Sequence, residues 1–186
     1  MSVDVEVWLV RHGETEWSRD HKHTSTTEME LTADGEAVAR ELAPRLARSF
    51  DLVLTSPRRR ARDTAVLAGH PAATVDEDLV EWDYGDYEGI TTAEIRETVP
   101  GWTVWTHPTP GGEDAADVTT RLDRVVDRLR AQRTALVFGH GHALRALAAR
   151  WIGLPVSEGR LLRLDTATVS VLGFEREQPV VLRWNA

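Results

Sequence analysis

The sequence predicts an α/β protein, a three-layer α/β/α sandwich with a mostly parallel central sheet and an antiparallel edge. Three observations predict it. Short apolar, β-branched runs alternate with amphipathic helical stretches over most of the chain. Three such runs, "VWLV", "DLVLT" and "TALVFG", read as buried strands. The chain closes on two adjacent β segments, "TATVSVLGFE" and "PVVLRW", which suit an antiparallel pair at the sheet edge. The strand order stays open at this level.

Taken in order, the first strand is read over Val3–Val10. A helix follows in "LTADGEAVARELAPRLAR", with Thr32 as cap, Asp34 in its first turn and Val38, Leu42 and Leu46 as its inward stripe. After "DLVLT" comes the helix "SPRRRARDTAVLAG", with Ser56 as N-cap, Pro57 at its first position and Gly69 closing it. The stretch from Val75 to Gly112 is irregular, rich in Trp, Tyr, Gly and Pro, with a short helix near Thr92–Thr98. The longest helix follows "PGGEDA" and carries Val118, Leu122, Val125, Val126 and Leu129 at helical spacing. "TALVFG" and the helix "HGHALRALAARWIG", stopped by Gly153 and Pro155, complete the alternation.

At 186 residues, with no repeat and no linker, the chain suits one domain over 1–186 with an irregular insertion around 82–112. A net charge of −8, from 22 Lys and Arg against 30 Asp and Glu, repels polyphosphate backbones and argues against a nucleic-acid partner. An anion site must therefore gather its own positive charge. The absence of cysteine excludes disulfides, thiol nucleophiles and thiolate zinc sites. The N-terminal apolar run is too short for a signal peptide or a membrane span, so a cytoplasmic protein with no membrane partner is expected. Oligomeric state is not readable.

Three strands end in unusual residues: Arg11-His12-Gly13-Glu14, Thr55-Ser56-Pro57 before an arginine-rich helix start, and "GHGH", Gly139 to His142. Ligands of open α/β sheets bind beyond the carboxyl ends of strands, and helix N-termini there favour anions. Two histidines, at least two arginines and two helix N-termini would thus share one edge as a phosphate pocket. Singly, each part has an ordinary reading. A strand-end histidine is most often a polar edge residue, and "RRRAR" is most often a solvated helix face. Helical geometry does not choose between Arg58 and Arg60, although Arg59 and Arg62 read as outward.

Together these segments resemble the histidine phosphatase superfamily, the phosphoglycerate-mutase-like phosphatases. "RHGETEW" is similar to its signature, "TSPRRRARDTA" to its second arginine segment and "EWDYGDYEG" to its acid-donor loop. "PGGED" resembles its Gly-Glu turn and "FGHGHALRAL" its second-histidine segment. The five occur in family order across nearly the whole chain. The resemblance implies a phosphoglycerate-mutase-like fold and an insertion that covers the substrate. It also implies that His12 is the nucleophile and that Arg11, Arg60 and His140 hold the transferring phosphoryl group. Arg60 precedes Ala-x-x-Thr-Ala, where the family places its arginine. By the same resemblance Glu81 is the proton donor and later the base that activates water, with Asp83 and Glu88 as rivals for that role. Asp86 and Glu14 take structural readings.

The chemistry is coherent. Phosphoryl transfer asks for positioning and charge stabilisation, and planar guanidinium groups match equatorial oxygens. A neutral imidazole supplies the lone pair, and a protonated carboxyl is needed to release an alkoxide. Gly13 is expected to let the backbone approach the phosphate. Ser18 stands where many members carry asparagine, and Ser25 where they often have glycine. Ser18 and Gly141 are the expected rim of the phosphate site. No metal and no cofactor enter this scheme.

Within the family the short chain favours hydrolysis over the mutase reaction, which typically uses longer site-closing insertions. The pairing of "EWDYGDYEG" with "GHGHALR" resembles the branch of sedoheptulose-1,7-bisphosphatase-like enzymes and broad acid phosphatases, implying a small phosphomonoester such as a sugar phosphate. The "RDHKH" segment, Arg19 to His23, either contacts a second anionic group or is an exposed loop. Two readings of other classes are a non-catalytic phospho-ligand binder and a metal binder using His21, His23, His140 and His142.

Overall fold

In the computed structural model residues 5–186 are described. The elements run β1 (Glu6–Arg11), a single-turn α1 (Glu16–Arg19), α2 (Ala33–Glu41), β2 (Leu52–Thr55), α3 (Arg59–Leu67) and β3 (Thr74–Val75). They continue with α4 (Thr92–Thr98), α5 (Ala115–Arg130), β4 (Thr134–Gly139), α6 (Gly141–Trp151), β5 (Val169–Glu175) and β6 (Gln178–Arg183). The six strands form one sheet in the order β3-β2-β4-β1-β5-β6. The β3–β2, β2–β4 and β4–β1 pairs are parallel, whereas β1–β5 and β5–β6 are antiparallel. This is the expected mixed sheet with its antiparallel edge.

Alternation along the strands separates two cores. Val7 and Leu9 of β1 and Ala135 and Val137 of β4 face α5 and α6, joined by Val118, Leu122, Leu129, Leu144 and Trp151. Val10, Leu136 and Phe138 point to the opposite face, where Leu42, Leu46, Ala65 and Ala68 cover them. A sheet buried on both sides accounts for the near-continuous apolar runs in β1 and β4. The two helical layers follow from the same fact. No helix among the described residues is long and apolar enough to cross a membrane.

Four details correct the reading of the sequence. Residues 3 and 4 of the expected first strand lie outside the described residues, and β1 begins at Glu6. The second element stops at Glu41, because Pro44 cannot continue an α-helix and Ala43–Arg45 tighten into a 3-10 turn. Its inward residues are Gly35, Ala39, Leu42 and Leu46, and Val38 is exposed. Finally, α3 starts at Arg59 with Arg58 as an N-cap that has no side-chain hydrogen bond, so Ser56 is not its cap. The Ser56 hydroxyl accepts the Arg58 N–H at 3.3 Å, ahead of the helix, and has a second, closer partner at the sheet edge.

Candidate active site

Strand register explains how residues far apart in sequence meet. Arg11 pairs with Gly139 and Thr55 with Phe138, so β1, β4 and β2 end level with one another. The ladder continues one residue beyond: His12 N–H donates to the Gly139 carbonyl and Ser56 N–H to that of Phe138. His12, His140 and Ser56 therefore stand in a row at the carboxyl edge. The His12 and His140 rings lie 5.3 Å apart between centroids, tilted by 60°. His140 Nε2 is 2.7 Å from Ser56 Oγ. The hydroxyl expected to cap a helix thus orients a histidine.

His12 Nδ1 lies 2.7 Å from the carbonyl oxygen of its neighbour Gly13. A carbonyl only accepts, so Nδ1 carries the proton and Nε2 keeps its lone pair. Burial holds the imidazole well below its usual pKa, and the Arg60 and Arg11 guanidinium groups push it the same way. His140 is depressed likewise, first by burial and then by Arg60. The Gly13 N–H in turn donates to Thr64 Oγ1, which bonds back to the Arg60 carbonyl and ties α3 to the His12 loop. A Cβ on Gly13 would sit 2.6 Å from the Gly35 carbonyl oxygen, so backbone packing on α2 already demands the glycine. The expected role of Gly13 in phosphate approach is not needed to explain it.

A cavity of about 240 Å³ opens above this row, lined among others by Arg11, His12, Ser18, Glu81, Gly141 and Arg145. Arg11 donates to the Leu164 carbonyl at 2.6 Å, and its Nε has no protein partner. Arg60 and His140 do not line the cavity wall; both have 0% exposure and lie beneath it. Arg60 donates to the carbonyls of Thr24, Ser25 and Thr27 and so holds the loop that follows α1. Of the rim residues, Gly141 is glycine where a Cβ would come 3.3 Å from the Arg11 guanidinium carbon. Ser18 borders the cavity, but its hydroxyl is engaged with the Thr15 backbone in the capping box of α1.

Glu81 is almost fully buried at the N-terminus of α6. Its two oxygens accept N–H bonds from Trp82 at 2.9 Å, His142 at 3.0 Å and Ala143 at 2.8 Å. Its rivals are committed to structure. Asp83 caps the Gly85 N–H. Glu88 closes its turn through its backbone N–H to the Gly85 carbonyl, and its carboxylate accepts from the Ser25 and Thr27 backbone and the Ser25 hydroxyl. Burial pushes the Glu88 carboxyl up, and these hydrogen bonds outweigh it and bring it below the usual range. Ser25 thus supplies a hydroxyl that a glycine would lack. Glu14 accepts from Thr32, and Asp86 is exposed.

Chemically, this is a concave site with a neutral imidazole of fixed tautomer, guanidinium groups beside and beneath it, and a carboxyl group across from it. A family model described as "Histidine phosphatase superfamily (branch 1)" matches residues 7–186. The chain belongs to the histidine phosphatase superfamily. It is 47% identical over 174 residues to an acid phosphatase of Mycobacterium tuberculosis, covering 90% of this chain and 85% of that one. It is 34% identical over 185 residues to the sedoheptulose 1,7-bisphosphatase of Saccharomyces cerevisiae, covering 81% and 68%. Among solved structures, a Mycobacterium tuberculosis open reading frame product superposes with a TM-score of 0.92 at 41% identity, covering 97% of both chains. A mycobacterial glucosyl-3-phosphoglycerate phosphatase in complex with VO3 gives 0.86 at 30% identity, covering 98% of this chain and 99% of that one. The protein is a phosphatase enzyme of this superfamily, acting on phosphorylated substrates.

The candidate site contains groups that the motifs alone did not single out. Arg145, one turn along α6 from Gly141, lines the cavity. The Tyr84 hydroxyl is 2.5 Å from His142 Nδ1, and burial drives the Tyr84 phenol up and the His142 imidazole down. His21, Lys22 and His23 of the "RDHKH" segment reach the cavity wall, while Arg19 borders a neighbouring hollow. The four histidines weighed as metal ligands are not assembled as such. Among the described residues no group of three or more His, Asp or Glu is placed to hold a metal ion.

Proposed function

We propose that this phosphatase hydrolyses small phosphomonoesters, such as sugar phosphates, through a phosphohistidine on His12. The observation that carries the reading is the Nδ1 bond of His12 to the Gly13 carbonyl, which reserves Nε2 of a neutral, cavity-lining imidazole for attack. Nε2 forms a bond to phosphorus as the ester P–O bond breaks. The leaving oxygen takes that electron pair and the proton of Glu81. The carboxylate so formed is received by the three N–H groups already around it. Glu81 then takes a proton from water, whose oxygen attacks phosphorus and returns the electron pair to His12. Arg11 at the wall and Arg60 and His140 beneath hold the phosphoryl oxygens, with Gly141 and Ser18 at the rim.

The metabolite class is supported by what the relatives are named for, a sugar bisphosphate and a glucosylated phosphoglycerate. The single chain serves as one catalytic domain over 1–186, with the 82–112 segment contributing Tyr84 and Thr92 to the cavity wall. Its place of work is the cytoplasm. A screen of sugar phosphates and 3-phosphoglycerate, with His12→Ala alongside, tests the reading. Phosphate release should survive chelators, leave an acid-labile, alkali-stable label on His12, and vanish in the variant. Full turnover by His12→Ala overturns the mechanism; conversion of 3- to 2-phosphoglycerate without free phosphate assigns a mutase instead.

A further inference from the structure

We propose that Arg121 and Glu113 are positioning residues for the proton donor, a buried clamp that fixes the backbone on both sides of Glu81; the inference rests on the acid role given to Glu81 above. Arg121 projects from α5 with a side chain only 7% exposed and forms a two-pronged ion pair with Glu113, Nε to Oε1 at 2.7 Å and Nη2 to Oε2 at 2.8 Å. Its remaining nitrogen, Nη1, donates to the carbonyls of Asp78 at 2.9 Å and Val80 at 3.0 Å. Val80 is the residue immediately before the acid.

Glu113 grips the other side. Its Oε2 accepts the Asp83 N–H at 3.0 Å, its own N–H donates to the Asp83 carbonyl, and its carbonyl accepts the Trp82 indole N–H at 3.0 Å. The approach is tight: a Cβ on the preceding Gly112 would lie 2.2 Å from the Asp83 carbonyl oxygen. Arg124 and Arg128, on the same face of α5, bind Asp78 and Asp76 and extend the grip upstream. Apart from a 3-10 turn over Glu77–Leu79, segment 76–83 has no regular element of its own, and these bonds fix its path beside α5.

Neither Arg121 nor Glu113 lines the catalytic cavity. They act through Glu81, and the prediction is therefore selective. A misplaced acid slows departure of a basic alcohol far more than departure of 4-nitrophenolate, which leaves without a proton. Rapid-quench measurement of the first turnover, following label on His12, reads this step alone. For Glu113→Gln the rate with the best sugar phosphate should fall about tenfold or more, while the 4-nitrophenol burst should change less than about threefold. Slow hydrolysis should then let phosphohistidine accumulate, because the same carboxylate activates water.

A buried arginine left without its partner threatens folding, so the second variant is the apolar pair Arg121→Met/Glu113→Leu, which removes both charges together. It should melt as one cooperative unit and show the same split. Glu81→Gln is the reference. If Glu81→Gln shows the split and both clamp variants lose the two substrates equally, or lose neither, the clamp is overturned. If Glu81→Gln itself shows no split, the acid assignment falls and the clamp falls with it.

Discussion

His12 and His140 illustrate how little freedom the groups of the candidate site have. Each imidazole is buried, each has one nitrogen engaged by a neighbour, Gly13 O or Ser56 Oγ, and both are held neutral by burial beside Arg60. Ser56→Ala removes the one protein hydrogen bond of the His140 ring. Loss of that orientation should lower kcat on the order of ten- to a hundredfold, and steady-state kinetics on the purified variant checks it. Unchanged kcat would show that packing alone sets the ring. Residue-scale chemistry was only partly legible beforehand. The strand ends pointed to Arg11, His12 and His140, while Arg60 and Glu81 were named only by the family resemblance, and the structure gathers all five around the carboxyl edge of the sheet. The Ser56–His140 bond was hidden because a serine before proline at a helix start reads most simply as a cap. The Tyr84–His142 and Arg145 contributions were hidden because contacts between distant loops leave no local pattern.

Elements were legible where one physical signal dominated. Helix α5 shows its apolar stripe, its Asp114 capping box and its last-turn arginines, and Val118, Leu122, Val125, Val126 and Leu129 are all buried as expected. Asp114 accepts from Ala116 and Asp117 N–H groups. Asp114→Ala should therefore cost about 1 kcal/mol, read as a lower urea midpoint at unchanged slope. The end of α2 was less legible because Pro44 truncates it, and its inward face shifts from Val38 to Ala39. Behind that shift lies Gly35, where a Cβ would come 2.2 Å from the Glu14 carbonyl oxygen. Gly35→Ala should destabilise by about 1–3 kcal/mol through overpacking, despite alanine's better helix propensity. A variant as stable as the parent in equilibrium unfolding would refute this account of the contact.

At the scale of the whole molecule the buried histidines set an acid limit. His12, His140 and His142 lie well below the usual imidazole value, and His23 is lowered to about 4, each chiefly by burial. The unfolded chain protonates these rings near pH 6.5 whereas the folded one does not, so stability is present above that pH and is lost as pH falls through the folded values. For His23 alone the loss is on the order of 2 kcal/mol by pH 5. The carboxylates held low, Glu88 and Asp78, add their own loss only below their ordinary values of 4.5 and 3.8. A thermal scan from pH 7.5 to 5 should show a falling Tm, and a flat profile over that window contradicts the buried, neutral rings.

The sheet order also bears on how the molecule comes into being. β1 and β2 leave the ribosome early, yet they are not neighbours; β4, some eighty residues later, must slot between them. Until it does, His12 lacks its companion ring and the central sheet lacks its middle. Such distant pairing makes closure slow and leaves two unpartnered strand edges exposed meanwhile. Enzyme activity during refolding should consequently return in step with burial of the core, with no early active species, because one and the same strand completes both.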